Sequence, residues 1–388
     1  MILTISRDNV RVMNKSSTLS YGVKKEKTRR VIAIMAGGRG ERFWPQSRST
    51  RPKHLLPIVG NKTMLNQTID RLSGLVPLSD ILIITNVAQE QAVREICPEI
   101  LFENIIIEPV GRDTAPAVAL ASLVAKRMSP NATIALLPAD HVIKDIDGFE
   151  KTLETAFSAA ESGDYLVTVA IPPTHPETGF GYIERGDVHS KVGDQHVYTV
   201  KRFVEKPDAL KAKEYLDAGT FYWNGGMFVW SVPSIERALK KHAEELYECF
   251  AQLEHALEQN ASFKDVVAKH YETLPKISID YAVMEKAQNV LTVPAAFDWD
   301  DVGSWTALIR HFPHDENGNV ICGSAIVEAG KDNIILSTEG HITAVLGVQG
   351  LVVVHTDDAT LVCPADKAQE IKRLLKRIQA HPKGNSVL

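Results

Sequence analysis

The chain has 388 residues, of which 44% are hydrophobic and 23% are charged, and its formal net charge is −5. This is the composition of an ordinary globular protein, and the length allows one large domain with an appendage. No apolar run approaches the roughly 18 residues that a membrane-spanning helix requires, so we expect no association with a membrane.

The four cysteines lie far apart in the sequence and form no Cys-x-x-Cys pair. This spacing argues against a zinc site and is typical of buried thiols in a reducing compartment, so we expect a cytoplasmic protein. The cysteines are Cys97, Cys249, Cys322 and Cys363.

The first 30 residues differ from the rest in charge. They contain eight Lys or Arg against two Asp or Glu, and they lack the continuous apolar segment of a secretory signal peptide. We interpret residues 1–30 as a disordered basic extension, although a basic arm or a transit sequence would have the same charge. The remaining residues include 35 basic and 46 acidic side chains, a net charge of −11, which argues against non-specific binding to nucleic acid.

Short runs rich in β-branched residues begin at residue 31 and alternate with amphipathic stretches. The runs are almost continuously apolar, as strands buried on both faces should be. They read VIAIMAG, ILIITN, NIIIEPV, TIALLPAD and YLVTVAI. Strands separated by helices predict an α/β fold with a doubly wound, mostly parallel sheet, and we assign residues 31–312 to this domain.

Helices are predicted between these strands from the spacing of their apolar residues. The first, within NKTMLNQTIDRL, has Asn61 as its expected N-cap. The second, within RDTAPAVALASLVAKRM, opens at Asp113 or Thr114 and accepts Pro116 in its first turn, where the missing N–H has no consequence. A third, FEKTLETAFSAAESG, ends near Gly163.

The pattern changes near residue 315. Strand-like runs are now separated by Gly, Asp and Asn turns without intervening helices, and the amphipathic segment DKAQEIKRLLKRI follows them. We therefore expect residues 313–388 to form a small β-rich domain that includes a terminal helix.

The stretch IMAGGRGERFWPQSRSTRPKHLLPIVG, residues 34–60, is a glycine-rich loop after the first strand. Such loops hold phosphate because bare backbone N–H groups converge on the anion. The sequence fits neither the P-loop pattern nor the dinucleotide fingerprint, whose third glycine is replaced by Phe43. The density of basic residues that follows indicates a polyphosphate, whereas the alternative is a solvated basic loop.

This stretch resembles the signature of the sugar-phosphate nucleotidylyltransferases, and its Phe-Trp-Pro continuation resembles the guanylyltransferase branch that acts on mannose 1-phosphate. Further matches follow in the order that this family uses, over roughly residues 31 to 310. They are EPVGRDTAP, LLPADHVI, TGFGYIERG, FVEKPD, YWNGGMFVW, SIDYAVMEK and WDDVGSWTAL.

The resemblance implies a Rossmann-like nucleotidyltransferase that binds GTP and a sugar 1-phosphate, uses Mg²⁺, and releases pyrophosphate while forming GDP-mannose. Two alternatives stay open: the same chemistry on another sugar, such as a heptose 1-phosphate, or a non-catalytic relative that binds a GDP-sugar. The family analogy also makes a homodimer plausible.

The resemblance also implies a role for each residue of the predicted site. Arg42 and Lys53 would neutralise the phosphates during transfer, with Arg39 as the alternative partner of the departing pyrophosphate. The glycine loop would hold the triphosphate, and a second segment would contact guanine, where Asp113 is equally well explained as a helix cap. The nucleotide-binding residues are Gly37, Gly38, Arg39, Gly40, Gly111, Arg112, Asp113 and Thr114.

Metal and sugar ligands come from later motifs. Asp140 follows the run TIALLPAD, at the end of a strand where α/β sheets place their ligands, and a carboxylate suits Mg²⁺. In WDDVGSW, Asp301 would be its partner, although neighbouring Asp300 is a competing choice. The sugar would be bound by Gly179, Glu205 and Asn224, and Lys206 would contact its phosphate as a catalytic residue.

Overall fold

A computed structural model describes residues 28–259 and 262–388. Most of the predicted N-terminal extension, residues 1–27, therefore lies outside the described residues. Of the remainder, Arg29 pairs with Asp80 at 2.6 Å and Arg30 begins the first strand. Within the described part of the chain, no helix combines the length and apolarity needed to cross a membrane.

A nine-stranded sheet organises the first three quarters of the chain. Its strands are β1 (Arg30–Met35), β2 (Ile81–Asn86), β3 (Ile105–Glu108), β4 (Thr133–Pro138), β5 (Leu166–Ile171), β6 (Tyr182–Val192), β7 (Gln195–Val204), β8 (Phe221–Ser231) and β9 (Val290–Pro294). Their order in the sheet is β3-β2-β1-β4-β8-β5-β9-β7-β6, and only β7 and β8 run opposite to the other strands. The five runs predicted as strands are confirmed as β1 to β5, and the predicted α/β class is confirmed.

Helices cover both faces of this sheet. Successive residues of β1 enter opposite cores: Ile32 packs with α1, α2 and α4 (Met64–Asp70, Glu90–Ile96 and Ile146–Glu161), whereas Val31 packs on the other face. That second face is covered by α3 (Thr114–Met128), α6 (Val232–His242), α7 (Glu244–Glu258) and α8 (Phe263–His270). α5 (Ala209–Ala218) packs beside β8. Burial on both faces explains why these strands lack a polar alternation.

Five of the described helices, α1 and α3 to α6, begin with a side-chain N-cap, and one of these caps differs from the prediction. Asp113 caps α3, with its side chain accepting from the Thr114 N–H at 2.8 Å. The cap of α1 is Thr63 and not Asn61: the Thr63 hydroxyl accepts from the Asn66 N–H at 3.2 Å. The prediction of Asn61 was wrong because the chain turns for two more residues before the helix begins.

The C-terminal region is a short parallel β-helix. Its elements are β10 (Val320–Cys322), β11 (Ala325–Glu328), β12 (Ile334–Leu336), β13 (Thr343–Leu346), β14 (Leu351–His355), β15 (Thr360–Pro364) and α9 (Ile371–Gln379). Strands β10 to β14 alternate between two sheets, β10-β12-β14-β15 and β11-β13, in which only β15 is antiparallel to its neighbour. Buried Asn319 and Asn333 hydrogen-bond across successive turns of the β-helix at 3.0 Å. The prediction of a small β-rich region with a terminal helix is confirmed, whereas its boundary at residue 313 stays a prediction.

The C-terminal β-helix packs directly on the glycine-rich loop. Phe43, Trp44 and Trp305 share one hydrophobic cluster with the inner residues of β10, β12 and β14. The Trp305 indole donates to the Trp44 carbonyl at 3.1 Å, and the Trp44 indole donates to the Val387 carbonyl at 2.7 Å. The loop is therefore held from behind, while Gly38 is exposed.

Candidate active site

The glycine loop follows the carboxyl end of β1 and makes a close approach to Lys53. Gly40 has a φ of 60°, and a Cβ atom placed on it would lie 2.5 Å from the Lys53 backbone nitrogen. Side chains from the end of β2 and from the residue before α2 support the loop: Asn86 donates to the Gly37 carbonyl at 3.3 Å and Gln89 donates to the Gly38 carbonyl at 3.2 Å. Only glycine fits at position 40, because both the backbone angle and the packing exclude a side chain.

Lys53 is a buried lysine that joins two carboxylate-bearing segments. Its ammonium group donates to the Asp140 carboxylate at 2.9 Å and to the backbone carbonyl of Asp301. The Lys53 side chain is 7% exposed. A buried ammonium needs such partners, so the sheet end after β4 and the segment before Trp305 are held together around one charge.

The two carboxylates differ in their electrostatic surroundings. Burial raises the pKa of Asp140, but the Lys53 ammonium, with a smaller contribution from His141, outweighs it and lowers the pKa to about 2. Asp140 is thus ionised at neutral pH. Burial also raises the pKa of Asp301, where the attraction of Lys53 is opposed by repulsion from Asp300 and Asp140. A cation between the two carboxylates would relieve that repulsion.

Asp300 and Asp301 have separate partners. The Asp300 carboxylate accepts two hydrogen bonds from Arg310, at 2.6 and 2.8 Å, and lies 2.8 Å from a ring nitrogen of His311. It also accepts from the Val302 N–H at 2.8 Å. Because these contacts occupy Asp300, the geometry favours Asp301 as the residue available to a metal.

Three residues in or beside the predicted site motifs have a left-handed backbone. Among the described residues, positive φ occurs at Asp113 (69°), Lys206 (42°) and Val302 (45°), and also at Ala329 (51°) and Asp332 (54°) in the C-terminal region. Such a conformation is unfavourable for a β-branched residue and persists only where surrounding contacts enforce it. The Val302 hydrogen bond to Asp300 is one such contact.

Arg42 and Arg39 lie on the same loop, but only the Arg42 side chain is held by a hydrogen bond to a neighbouring segment. Arg42 donates to the Gly303 carbonyl at 2.9 Å, so its guanidinium is fixed beside the Asp301 segment. The Arg39 side chain is 80% exposed and lies 3.7 Å from Glu41. Arg42 is therefore preorganised, whereas Arg39 can reorient towards a phosphate.

The predicted sugar ligands form a second cluster around the crossing of β6 and β8. The Glu205 carboxylate lies against Gly181, where an added Cβ would be 2.3 Å from it, and Asn224 adjoins the same glycine. The Asn224 amide donates to Asp280 at 2.7 Å, and its carbonyl accepts from the Gly226 N–H at 3.1 Å. The cluster is lined with hydrogen-bonding groups suited to hydroxyls.

Charge at this cluster is predominantly acidic. Burial and then the nearby Asp280 carboxylate raise the pKa of Glu205, while burial is also the main cause that raises the pKa of Asp280. Lys206 offsets part of this charge; its ammonium lies 3.7 Å from Glu205 on a side chain that is 66% exposed. Gly179 lies nearby in the preceding loop, where its N–H donates to Glu177 at 2.7 Å.

The segment 111–114 lies between β3 and the sugar-side cluster. Arg112 donates to the Glu272 carbonyl, and the Thr114 hydroxyl accepts from the Ile279 N–H at 2.8 Å. A Cβ atom on Gly111 would meet nothing within 4 Å. Asp113 therefore has a structural role as the cap of α3, and Thr114 has one in linking this helix to the segment at Ile279. Contact of either residue with the base stays a prediction.

Asp140 and Asp301 are the candidate ligands for the divalent ion that the family resemblance implies. In the described ranges, no group of three or more His, Cys, Asp or Glu side chains is arranged to hold a metal. Asp140 and Asp301 both adjoin Lys53, and two carboxylates fit Mg²⁺, which commonly completes its shell with phosphate oxygens and water. The residues present therefore fit a metal that arrives with the nucleotide.

Comparison with known proteins identifies the family to which the chain belongs. A model of the nucleotidyl transferase family matches residues 31–318, and one of the MannoseP isomerase/GMP-like beta-helix domain matches residues 325–378. The chain belongs to the nucleotidyl transferase family, a family of enzymes. Its glycine loop, Lys53 and the two carboxylates are accordingly the candidate active site.

Individual proteins of known name are similar to most of this chain. The chain is 40% identical to a mannose-1-phosphate guanylyltransferase of Escherichia coli, over 89% of this chain and 73% of that protein. It is 36% identical to the alginate biosynthesis protein AlgA of Pseudomonas aeruginosa, over 90% and 72% respectively. A crystal structure titled mannose-1-phosphate geranyltransferase, from Thermus thermophilus, superposes with a TM-score of 0.79 at 38% identity, covering 91% of this chain and all of that one.

Two residues near the site were missed by the sequence analysis. Asp280 lies in the quoted motif SIDYAVMEK, but its contact with Asn224 spans 56 residues and is visible only in three dimensions. Glu108 opens EPVGRDTAP and is buried at the end of β3, where it accepts from the hydroxyl of Tyr271. An acidic residue closing an apolar strand was the available signal for Glu108.

Proposed function

We propose that the protein transfers GMP from GTP to α-D-mannose 1-phosphate, forming GDP-mannose and pyrophosphate. Relatives named for this activity match at about 40% identity across most of the chain. Both the glycine loop and the acidic, hydrogen-bonding cluster needed for a nucleotide and a sugar are present. The function is thus supported by the similarity to these relatives and by the chemistry of the residues at the candidate site.

One observation carries the proposal: Lys53 is held between Asp140 and Asp301 directly beneath the glycine loop. Its ammonium contacts both segments, and its backbone nitrogen adjoins Gly40. A positive charge fixed at this point is suited to the α-phosphate region of a nucleotide whose phosphates lie on the loop. Charge neutralisation and alignment are the main requirements of phosphoryl-group transfer.

In the proposed reaction, a phosphate oxygen of the sugar 1-phosphate attacks the α-phosphorus of GTP in line with the leaving group. The new phosphorus–oxygen bond forms as the bond between the α-phosphorus and the oxygen bridging to the β-phosphate breaks. Because the attacking oxygen is already anionic, no general base is required. Pyrophosphate leaves with the bridging oxygen, and its charge is stabilised by Arg42 and Arg39.

The protein groups would act by binding and orientation. Backbone N–H groups of Gly37, Gly38 and Gly40 would hold the triphosphate, while Lys53 stabilises the charge that develops around the α-phosphorus. The segment 111–114 would bind the base.

On the sugar side, the hydroxyls would be bound by Gly179, Glu205 and Asn224, with Asp280 supporting Asn224. Lys206 would contact the sugar phosphate.

Asp140 and Asp301 would hold a divalent metal ion, and we propose Mg²⁺ because both ligands are hard oxygens. When bound, the ion neutralises phosphate charge. We further propose a cytoplasmic location, in keeping with the four free cysteines. Association into a homodimer stays a prediction from the family resemblance.

The proposal is tested by a coupled assay for pyrophosphate with Mg²⁺. GTP, ATP and UTP are each combined with mannose, glucose and heptose 1-phosphates, and the product is identified by mass. We expect turnover to be highest for GTP with mannose 1-phosphate. Higher turnover with another sugar would overturn the assigned substrate, and an absence of turnover in a folded protein that binds GDP-mannose would favour a non-catalytic relative.

A matched pair of variants ties the activity to the site. Asp140→Asn removes the carboxylate that contacts Lys53, whereas Asp147→Asn makes the same chemical change on an exposed residue at the start of α4. We expect the first variant to lose turnover and the second to retain it.

A further inference from the structure

The segments that carry Asp140 and Asp301 are joined by a very short backbone pairing. Val142 and Asp300 exchange both of their backbone hydrogen bonds, at 2.9 and 3.0 Å, in an isolated antiparallel bridge. In antiparallel pairing, the residues before Val142 run alongside those after Asp300, so the two carboxylate residues lie on the same side of the bridge. A single bridge fixes one point only, and the segments could still pivot about it. The separation of the carboxylates therefore depends on further contacts.

A side-chain hydrogen bond supplies such a contact beside the bridge. The Trp299 indole N–H donates to Nδ1 of His141 at 3.1 Å, and the two rings meet edge to face with their centroids 5.1 Å apart. Because an indole nitrogen can only donate, Nδ1 of His141 acts as the acceptor and is unprotonated. His141 adjoins Asp140, and Trp299 is two residues before Asp301. This bond therefore joins the two segments a second time, next to the proposed metal ligands.

The His141 end of this bond is anchored to the core through α1. The His141 carbonyl accepts from the guanidinium of Arg71, the residue that ends α1, at 3.0 Å. Arg71 is buried and also donates to the hydroxyl of Thr68, within the same helix, at 3.0 Å. A buried guanidinium depends on such fixed acceptors, so the backbone at His141 is held in place.

The Trp299 end is held by aromatic rings from the sugar side. Its indole meets the Phe180 ring edge to face at a centroid distance of 5.5 Å, and the Trp223 ring lies at 6.2 Å. Phe180 and Trp223 belong to the motifs TGFGYIERG and YWNGGMFVW, which carry predicted sugar ligands. With rings packed on it in this way, the indole has little freedom to turn its N–H away from His141.

We propose that His141 and Trp299 are positioning residues of the candidate active site, and that their hydrogen bond sets the separation of the Asp140 and Asp301 carboxylates so that both can bind one divalent ion. The proposal rests on the proposed function, since that function makes these two carboxylates the metal ligands. Groups that orient metal ligands change metal affinity without touching the ion. Neither His141 nor Trp299 needs to contact the substrate for this role.

The test removes the N–H group and keeps an aromatic ring. Trp299→Phe cannot donate to His141, but its ring can still pack on Phe180. The affinity for Mn²⁺ is measured from the EPR signal of the free ion at saturating GDP-mannose, which has no reaction partner in the absence of pyrophosphate. The affinity for GDP-mannose is measured separately in the presence of EDTA. We expect the Kd for Mn²⁺ to rise about tenfold or more, and the Kd for metal-free GDP-mannose to stay within about twofold.

Trp230→Phe is the matched control. Trp230 is fully buried, and within the part of the chain that the structure describes its indole N–H has no hydrogen-bond partner. The substitution makes the same change of ring without removing a hydrogen bond, so the Kd for Mn²⁺ should stay within about twofold of the wild-type value. A loss as large as that of Trp299→Phe would show that the effect comes from general loosening of the domain, and it would overturn the proposal.

Substitutions of His141 test whether the hydrogen bond itself is the cause. His141→Asn keeps an acceptor near the place of Nδ1 and should hold the Kd for Mn²⁺ within about threefold, whereas His141→Leu has no acceptor and should raise it about tenfold or more. Combining His141→Leu with Trp299→Phe should weaken binding no further than either change alone, because both remove the same bond. Losses that multiply in the double variant would overturn the proposal.

The wild-type protein separates a failure of this inference from a failure of the proposed function. If the wild type binds Mn²⁺ and releases pyrophosphate from GTP and mannose 1-phosphate, but Trp299→Phe binds Mn²⁺ equally well, only the positioning role is overturned. If the wild type binds no Mn²⁺ and releases no pyrophosphate, the proposed function is overturned together with this inference.

Discussion

The backbone nitrogen of Lys53 lies 2.5 Å from the point where a Cβ atom of residue 40 would be, so the glycine loop and the buried lysine are in direct contact at Gly40. The positive φ of Gly40 adds a second reason why no other residue fits. The loop that is proposed to hold the phosphates and the cation proposed to stabilise them are thereby fixed relative to each other.

Gly40→Ala should disrupt this contact. We expect the free energy of unfolding to fall by about 2 kcal/mol or more, from the left-handed backbone and the clash together. Turnover should fall as Lys53 shifts. Gly38→Ala is the control for stability, because a Cβ there would meet nothing within 4 Å. Denaturant unfolding of both variants makes the comparison, and equal stability of the two would contradict it.

Neighbouring Asp300 and Asp301 should give opposite phenotypes. Asp301→Asn removes a proposed metal ligand whose carboxylate forms no hydrogen bond or ion pair within the described part of the chain, so we expect at least a 100-fold loss of turnover with little change in stability. Asp300→Asn weakens the contacts to Arg310 and His311 and should lower the free energy of unfolding by about 2 kcal/mol. Steady-state assays and thermal melts separate the two effects. A stable but inactive Asp300→Asn protein would reverse the assignment.

Asp280 should affect the sugar and not the nucleotide. Asp280→Asn removes the charge that fixes the Asn224 amide, and we expect the KM for mannose 1-phosphate to rise about tenfold while the KM for GTP stays within about twofold. Asp217→Asn, an exposed acid on α5, serves as the matched control. A change confined to the KM for GTP would place Asp280 with the nucleotide instead.

Glu108 should make stability depend on pH. Burial raises its pKa from the usual 4.5 to about 7, despite the opposing hydrogen bond from Tyr271. The unfolded chain therefore loses this proton first as pH rises, so the free energy of unfolding should fall by roughly 3 kcal/mol between about pH 4.5 and pH 7. The groups facing it are Tyr271 and, beyond that phenol, Arg112.

Glu108→Gln should remove the pH dependence of the free energy of unfolding that comes from this carboxyl group. Relative to the wild type, the variant should gain stability on going from pH 5 to pH 8, as measured by denaturant unfolding at both values. A stability difference that does not change with pH would show that Glu108 titrates normally in the folded protein.

The sequence predicted those features that depend on local pattern. Continuous apolar runs such as VIAIMAG and TIALLPAD became central strands, because burial on both faces removes any polar alternation. Asp113 was correctly proposed as a helix cap for the same local reason. Thr63 was missed as the cap of α1, since the position of a helix start within a turn-rich segment is set by packing.

Features that depend on distant contacts were not predictable from one sequence. Whether Asp300 or Asp301 is free is decided by Arg310 and His311, which fold back on Asp300. The hydrogen bond between Tyr271 and Glu108 joins residues 163 apart in the chain. The parallel pairing of β10, β12 and β14 was also not predicted, because alternation of apolar residues does not indicate strand direction.

The most direct test of guanylyl transfer at this site is the rate of pyrophosphate release from GTP and mannose 1-phosphate with Mg²⁺, compared between the wild type and Asp140→Asn. We expect sustained turnover by the wild type and a loss of at least about 100-fold in the variant, which lacks the negative charge beside Lys53. Equal rates in the two proteins, or no pyrophosphate from the wild type, would contradict it.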